Sequence, residues 1–308
     1  MKLAMVFPGQ GSQSVGMLKG YDGLPEANAV REEAGRVLGA QFLKLLDEGP
    51  AEQLNLTVNT QPAMVTAGYL CLRAWIASGG PQPQMVAGHS LGEYTALVAA
   101  GALAFADCLP LVRFRAQAMQ AAVPEGKGAM AAILNLDDDL VRAACAEAGG
   151  EVQAVNFNAP GQVVIAGEKE AVARAIEKCK EKGAKRALPL PVSAPFHSTL
   201  MRPAAEKLKE YLQKVNIGST RITLVNNVDV RVEREPAAIR DALARQAASP
   251  VRWVETIQKM VAMGATHIVE CGPGKALAGM TRRIAPNVQS LTLADRASLE
   301  QALQGVKV

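Results

Sequence analysis

The stretch Met85-Val86-Ala87-Gly88-His89-Ser90-Leu91-Gly92 is a short apolar run, 85–87, followed by a G-x-S-x-G pentapeptide, 88–92. A helix-forming segment, 93–100, comes next. A strand that turns sharply into a helix at such a pentapeptide presents the serine hydroxyl at the edge of an α/β sheet. The glycines at both ends are needed because a side chain there would crowd so tight a turn. Free N–H groups at the start of the helix favour negative charge near the serine. The stretch therefore predicts an α/β sheet with Ser90 as a nucleophile.

The composition of the chain is that of an ordinary globular protein. Its 308 residues are 49% hydrophobic and 20% charged, which fits one large domain or one domain carrying a second. The net charge of +4 is too small to indicate nucleic-acid binding, although it leaves room for an acidic partner. No apolar stretch is long enough to span a membrane. The opening run, 1–9, is too short for a signal-peptide core, and a strand fits it better.

The cysteines predict a reducing compartment. There is no CxxC pair, and each cysteine lies in an apolar or helical stretch, at positions 71, 108, 145, 179 and 271. Reduced thiols in a cytoplasmic protein are the expected state.

Strand and helix patterns alternate on both sides of the pentapeptide. This alternation is typical of a large, doubly wound, hydrolase-like α/β domain with a mainly parallel sheet. The predicted strands are 3–7, 85–88 and 266–270, and the predicted helices are 60–78, 107–122 and one that begins at about residue 275.

The middle of the chain has a different pattern, with the order βαββαβ of a split, ferredoxin-like unit. The predicted strands are 129–134, 152–157, 163–166 and 185–190, and the helices are 137–148 and 168–182. We therefore predict a large catalytic domain formed by 1–125 and 193–308, with a small ferredoxin-like domain, 126–192, inserted into it. A cleft between two such domains is a usual place for a substrate.

The nucleophile needs a base, and the chain has three histidines. The side chain of His89 is expected to point away from Ser90, and His267 lies inside a predicted strand. His197 lies on a proline-rich loop where the chain leaves the inserted domain, which suits catalysis, although a solvent-exposed loop histidine is the alternative. The α/β-hydrolase template, with an acid between the serine and a histidine near the C-terminus, fits poorly. Something else, such as a backbone carbonyl, must then orient His197.

Two further features could bind negative charge. The N–H of Leu91 is a natural oxyanion donor, and a second donor should come from another loop, such as the glycine-rich turn 9–13. That turn lacks the lysine of a phosphate loop, which argues against nucleotide binding. Arg113 and Arg115 point to different sides of a helix, and their spacing does not decide which one faces a cleft. An inward arginine could bind a substrate carboxylate with two parallel hydrogen bonds.

Nine short motifs follow one another over nearly the whole chain. They are GQGSQ at 9–13, TQPA at 60–63, GHSLGE at 88–93, RxxxM at 115–119, NFNAPGQ at 156–162, APFHS at 194–198, NNVDV at 226–230, RQAASPVRW at 245–253 and GPGKAL at 272–277. In this order the motifs resemble the malonyl-CoA:acyl-carrier-protein transacylases of bacterial type II fatty acid synthesis.

The resemblance implies a catalytic role for each matched residue. Ser90 would take the malonyl group from coenzyme A as an ester, and His197 would act first as a base and then as an acid. The backbone carbonyl of Gln246 would orient His197, and the backbone N–H groups of Gln10 and Leu91 would form the oxyanion hole.

The resemblance also implies the substrate pocket. Arg115 would pair with the free carboxylate of malonate, Gln61 would lie close to it, and Asn158 would belong to the pocket. Phe196 would fill space near the acyl carbon, where a bulky residue goes with malonyl and a smaller one with methylmalonyl.

The implied partners are malonyl-CoA and a transiently bound, acidic acyl carrier protein. The coenzyme A thioester is the substrate, and no bound cofactor, metal, nucleic acid or membrane is expected. We expect a monomer. Candidate carrier contacts are basic side chains that could equally be solvated surface charges, namely Lys185, Arg186, Lys275, Arg282 and Arg283.

Alternative functions remain at this point, both outside and within the family. A serine esterase or thioesterase would use the same nucleophile and base, but the arginine and the missing carboxylate argue against it. A non-catalytic module is disfavoured because Ser90, His197 and Gln10 are all intact. An acyltransferase that serves a polyketide synthase, or a malonate decarboxylase, is compatible with the motifs.

Overall fold

Two separate sheets organise the protein, whose computed structural model describes residues 1–192 and 194–306. The strands in these ranges are β1 (Leu3–Phe7), β2 (Met85–Gly88), β3 (Gly128–Leu134), β4 (Val152–Ala159), β5 (Gln162–Glu168), β6 (Arg186–Pro189), β7 (Thr223–Leu224), β8 (His267–Glu270) and β9 (Gln289–Thr292). The helices are α1 (Pro25–Leu38), α2 (Ala40–Glu48), α3 (Ala51–Leu54), α4 (Thr57–Ala77), α5 (Gly92–Ala99), α6 (Phe105–Ala121), α7 (Asp138–Ala148), α8 (Lys169–Glu181), α9 (Arg202–Leu212), α10 (Pro236–Gln246), α11 (Trp253–Ala262), α12 (Ala276–Ile284) and α13 (Arg296–Gly305).

The larger sheet is parallel, with strand order β7-β2-β1-β8-β9. Its central strand β1 is wholly buried because helices cover both faces, which explains the continuous apolar run. Along β1 the side chains alternate between two hydrophobic cores, one on each face of the sheet. Leu3, Met5 and Phe7 belong to one core, and Ala4 and Val6 belong to the second. This confirms the predicted doubly wound domain with a mainly parallel sheet.

Strands β1 and β2 end side by side, and this places two loops together. Their register pairs Phe7 with Gly88, so the turn after β1 and the pentapeptide after β2 leave the sheet at the same edge. Active sites of parallel α/β sheets form at this carboxyl edge.

The smaller sheet is antiparallel, with strand order β4-β5-β3-β6, and α7 and α8 cover one face. The predicted βαββαβ unit is therefore confirmed. Its hairpin is tighter than predicted, because β4 continues through two irregularities to Ala159 and leaves only Pro160-Gly161 as the turn. The boundaries 126–192 remain a prediction, and Ser193 and residues 307–308 lie outside the described residues.

The edge strand β4 of the small sheet is hydrogen-bonded to the segment between α10 and α11. The N–H of Phe157 donates to the carbonyl of Val251, and the N–H of Val251 donates to the carbonyl of Val155. These bonds fix the segment between α10 and α11 against the small sheet. Within 1–192 and 194–306, no helix combines the length and apolar character that a bilayer crossing requires.

Candidate active site

Ser90 occupies a strained turn between β2 and α5. Its φ is 52°, a left-handed conformation that costs energy for a residue with a side chain. A Cβ at Gly88 would lie 1.9 Å from the carbonyl carbon of Gly92, and a Cβ at Gly92 would lie 2.0 Å from the carbonyl oxygen of Phe7. Both glycines are thus required by close backbone approach, as the sequence predicted.

Two side-chain amides hold this turn in place. Asn227 Oδ1 accepts from the N–H of Ser90 at 2.9 Å, and Asn227 Nδ2 donates to the carbonyl of Gly88. Gln246 Nε2 donates to the carbonyl of Ser90 at 3.0 Å. A strained backbone persists where the surrounding structure over-determines it, and these bonds do so here.

His197 lies beside the nucleophile and is held by a backbone carbonyl. Its Nε2 is 2.6 Å from Ser90 Oγ, and its Nδ1 is 2.9 Å from the carbonyl oxygen of Gln246. Because that carbonyl can only accept, Nδ1 carries the proton, which leaves Nε2 free to accept the serine proton. The arrangement is that of a serine nucleophile, its base and a third group that orients the base.

The environment of His197 keeps the imidazole neutral. Its side chain is 3% exposed. Burial, with a further contribution from the nearby charge of Arg115, lowers the pKa of His197 to about 3. The histidine is therefore unprotonated and able to act as a base over the physiological pH range.

Arg115 comes from α6 and ends at the nucleophile. Its side chain is 1% exposed. Nη1 donates to Gln61 Oε1 at 3.0 Å, while Nη2 donates to Gln246 Oε1 at 3.0 Å and to Ser90 Oγ at 3.3 Å. The neighbouring Arg113 instead lies 5.8 Å from the ring centre of Phe42, so Arg115 is the arginine at the site.

The loop after β1 contacts the pentapeptide. A Cβ on Gly9 would lie 2.7 Å from the carbonyl oxygen of His89 and 3.7 Å from the N of Leu91. Gln10 and Leu91 line one cavity, and the Gln10 side chain is turned aside to donate to Thr57 Oγ1 at 3.2 Å. The two predicted oxyanion donors are therefore brought to the same place.

The cavity at this edge of the large sheet has a volume of about 470 Å³ and is also lined by residues of the small sheet. Seven of the predicted site residues line it, namely Gln10, Gln61, Ser90, Leu91, Arg115, Phe196 and His197. The remaining lining includes the apolar residues Met119, Met130, Leu190 and Val192, to which the sequence assigned no role.

Asn158 lies behind this lining. It is buried, and its Oδ1 is 2.7 Å from Nε2 of His89, whose ring packs edge-on against Trp253 at 5.4 Å. Asn156, two residues earlier, lines the cavity instead. His267 begins β8 beside Leu3 at the start of β1, at the opposite edge of the sheet from the pentapeptide, and its Nδ1 is 2.9 Å from Thr266 Oγ1.

Glu93 was not assigned a role from the sequence, yet it connects the parts of the site. Its side chain is 1% exposed, and Oε2 accepts from the N–H of Asn227 at 2.9 Å and from Gln246 Nε2 at 3.2 Å. Burial raises the pKa of Glu93 to about 7. The signal that could have found it is a single glutamate at the start of an otherwise uncharged helix, 92–99.

The predicted carrier contacts lie on the surface. All five basic residues are exposed, and Arg283 also donates to Gln162 Oε1 at 2.9 Å and to the carbonyl of Pro160. Across the described ranges, no group of three or more His, Cys, Asp or Glu side chains could hold a metal ion.

Comparisons with known proteins agree over the whole chain. The acyl transferase domain family matches residues 4–297. The chain is 51% identical, over 306 residues, to the malonyl CoA-acyl carrier protein transacylase of Escherichia coli (strain K12), covering 98% of this chain and 99% of that protein.

Solved structures give the same result. An acyl-carrier-protein S-malonyltransferase from Burkholderia pseudomallei 1710b superimposes with a TM-score of 0.97 at 62% identity, covering 99% of this chain and 100% of that one. A malonyl-transacylase solved in complex with its type II PKS acyl-carrier protein gives 0.97 at 49% identity, covering 99% and 100%. This chain therefore belongs to the malonyl-CoA:acyl-carrier-protein transacylase family of acyl transferases.

Proposed function

We propose that this acyltransferase moves the malonyl group of malonyl-CoA to the phosphopantetheine thiol of acyl carrier protein through a malonyl ester on Ser90, and so supplies extender units for fatty acid synthesis. One observation carries the proposal. Ser90 Oγ lies 2.6 Å from the base His197 and 3.3 Å from the guanidinium of Arg115, so nucleophile, base and carboxylate receptor meet at one atom.

In the first half-reaction, Ser90 Oγ attacks the thioester carbonyl while His197 Nε2 takes its proton. The oxyanion that forms is stabilised by the backbone N–H groups of Gln10 and Leu91. The C–S bond then breaks, and His197 returns the proton to the departing sulfur of coenzyme A. The carbonyl of Gln246 stabilises the transient imidazolium through Nδ1–H.

Arg115 selects the acyl group. Its guanidinium is oriented by Gln61 and Gln246 and faces the nucleophile, where a malonyl carboxylate can take two parallel hydrogen bonds. Acetyl lacks this carboxylate. Phe196 lines the same cavity, and we propose that its ring limits space beside the acyl carbon and disfavours methylmalonyl.

In the second half-reaction, the carrier thiol attacks the malonyl ester and the same groups act in reverse order, giving ping-pong exchange. The coenzyme A thioester is the substrate. We assign no bound cofactor or metal to the reaction, because the side chains named above supply its chemistry. The carrier is expected to be acidic and to bind transiently, with exposed basic residues as candidate contacts, among them Lys185, Arg186, Lys275, Arg282 and Arg283.

We further infer a cytoplasmic monomer. The support for the compartment is that all five cysteines are buried free thiols. The support for the monomer is that one chain supplies the nucleophile, the base, the arginine and the lining of the cavity.

The test is intact-protein mass spectrometry after incubation with malonyl-CoA, acetyl-CoA or methylmalonyl-CoA, using the wild type and Ser90→Ala. A malonyl-sized adduct that requires Ser90 and is discharged by acyl carrier protein is the expected result. Accumulation of free malonate without an adduct would indicate a hydrolase instead. If only a polyketide-synthase carrier protein removed the malonyl group from Ser90, the enzyme would serve polyketide synthesis instead of fatty acid synthesis.

A further inference from the structure

We propose that Glu93 is a positioning residue for Arg115, because its carboxylate fixes the orientation of the Gln246 side-chain amide and thereby sets the preference for an acyl group that bears a carboxylate. The inference rests on the proposed function and adds to it a residue that does not touch the substrate.

Glu93 is a buried acidic residue whose burial is compensated by hydrogen bonds. A carboxylate removed from water is costly unless hydrogen bonds or an opposite charge compensate it. Glu93 Oε2 takes two hydrogen bonds, from the backbone of Asn227 and from Gln246 Nε2. Both partners also hold the strained turn at Ser90. Glu93 therefore lies behind the site rather than in it.

The Gln246 amide joins two opposite charges. Its Nε2 faces Glu93 Oε2 at 3.2 Å, and its Oε1 faces Arg115 Nη2 at 3.0 Å. An amide rotated by 180° has nearly the same shape, so only its hydrogen-bond partners decide its orientation. In the rotated state, oxygen would face the carboxylate and NH₂ would face the guanidinium, and both contacts would be repulsive. The carbonyl of Ser90 also accepts from Nε2 at 3.0 Å and favours the same orientation, and the two charges reinforce it.

This arrangement leaves the guanidinium available. The hydrogen-bond acceptors of Arg115 among residues 1–192 and 194–306 are Gln61, Gln246 and Ser90, and none is a carboxylate. Glu93 compensates the buried positive charge of Arg115, and the side-chain amide of Gln246 lies between the two charged groups. A carboxylate paired directly with Arg115 would compete with malonate, whereas a carboxylate behind Gln246 does not.

The test compares Glu93→Gln, which keeps the size and removes the charge, with Glu93→Asp, which keeps the charge and withdraws it by one methylene. Glu270→Gln is the matched control, because Glu270 is also fully buried but belongs to β8 and bonds to the N–H of Ala278. Acylation by malonyl-CoA and by acetyl-CoA is measured at pH 8 by rapid quench and intact mass. Thermal unfolding of each variant is measured in parallel.

We expect Glu93→Gln to lower kcat/KM for malonyl-CoA about tenfold, mainly through KM, because a neutral amide forms a weaker hydrogen bond than a carboxylate and can pair with either end of the Gln246 amide. Acetyl-CoA should change less than twofold. Glu93→Asp should give a smaller fall in the malonyl-to-acetyl ratio, and Glu270→Gln none. In an Arg115→Ala background, Glu93→Gln should add no further loss with malonyl-CoA.

An unchanged malonyl-to-acetyl ratio in folded Glu93→Gln would overturn the inference, and so would equal losses with both substrates. If that variant does not fold, an unchanged ratio in Glu93→Asp decides against the inference in the same way. A wild type that takes up no malonyl group would instead overturn the proposed function itself.

Discussion

The pentapeptide region of the large sheet and the small antiparallel sheet bury different kinds of groups. Around Ser90 the buried residues include many polar or charged ones, namely Gln61, Glu93, Arg115, His197, Asn226, Asn227 and Gln246. In the described part of 126–192 the buried polar set contains only Asn158, and the core between the small sheet and its two helices is apolar throughout.

This contrast indicates where each kind of substitution should act. In the small sheet, stability comes from apolar area, so a truncation should change stability and leave the chemistry intact. Around Ser90, buried polar groups bond to one another in fixed directions, so a truncation should change the chemistry first. Four predictions test this contrast.

The largest expected effect comes from His197→Ala. Removing the base should slow acylation of Ser90 by about 10²–10⁴-fold, and equally for malonyl-CoA and acetyl-CoA, because proton transfer does not depend on the acyl group. Rapid-quench mass spectrometry of the acyl-enzyme measures both rates. A loss confined to malonyl-CoA would mean that His197 binds the acyl group rather than moves the proton.

Arg115→Ala should have the next largest effect, and a selective one. Loss of half of a buried charge-assisted pair costs about 2–5 kcal/mol, which is roughly 30-fold to several thousandfold in kcat/KM for malonyl-CoA. Acetyl-CoA should change far less. Arg113→Ala is the matched control, since that guanidinium stacks on Phe42 outside the site and should leave both substrates unaffected. Equal losses with both substrates would refute the carboxylate role.

The fold was predictable where the physical signals are local. The apolar runs that became β1 and β2 and the pentapeptide between β2 and α5 are contiguous in sequence, so the parallel sheet and the turn at Ser90 followed. Helix starts were predicted less well. Helix α4 begins at Thr57 rather than residue 60 and α6 at Phe105 rather than residue 107, so Pro62 and Pro110 lie beyond the first turn, where proline is normally tolerated.

The site was predictable only in part from local signals. The choice between Arg113 and Arg115 depends on which face of α6 is turned toward the nucleophile, and the spacing of the two residues does not contain that information. Glu93 and Asn227 are 134 positions apart in the chain, and their contact exists only once β2 and β7 pair. The family resemblance supplied the carbonyl of Gln246, but it did not supply the two contacts of that side chain with opposite charges.

Ile165→Ala tests the small sheet. Ile165 is fully buried in the core between this sheet and its two helices, so its truncation should lower the free energy of unfolding by about 2–5 kcal/mol. Urea unfolding measures that loss. The malonyl-to-acetyl ratio of the folded variant should match the wild type, because no polar group of the site changes. A shift in that ratio would show that packing of the small sheet also positions Arg115.

The smallest effect is a pH dependence that comes from a buried carboxyl group in the large sheet. Burial raises the pKa of Glu270 from 4.5 to about 7. The hydrogen bond that its carboxylate accepts from the N–H of Ala278 acts in the opposite direction and lowers the pKa, but burial is the larger effect. A carboxyl group with a higher pKa in the folded than in the unfolded state favours folding most when protonated. Its contribution is therefore complete below pH 4.5, falls as the pH rises, and is lost above about pH 7.

The pKa difference corresponds to about 3 kcal/mol at most. Glu270→Gln removes this contribution, so the fall in unfolding free energy between pH 5 and pH 8 should be about 2–3 kcal/mol smaller in the variant. Urea unfolding at both pH values measures the difference, and subtraction of the wild type cancels the other titrating groups, including Glu93, whose pKa is raised to a similar value. Ile165→Ala should instead lower stability equally at both pH values, since it removes no titrating group. Identical slopes for wild type and Glu270→Gln would mean that Glu270 ionises at its ordinary pKa, and the contrast between the two sheets would then hold for the catalytic groups alone.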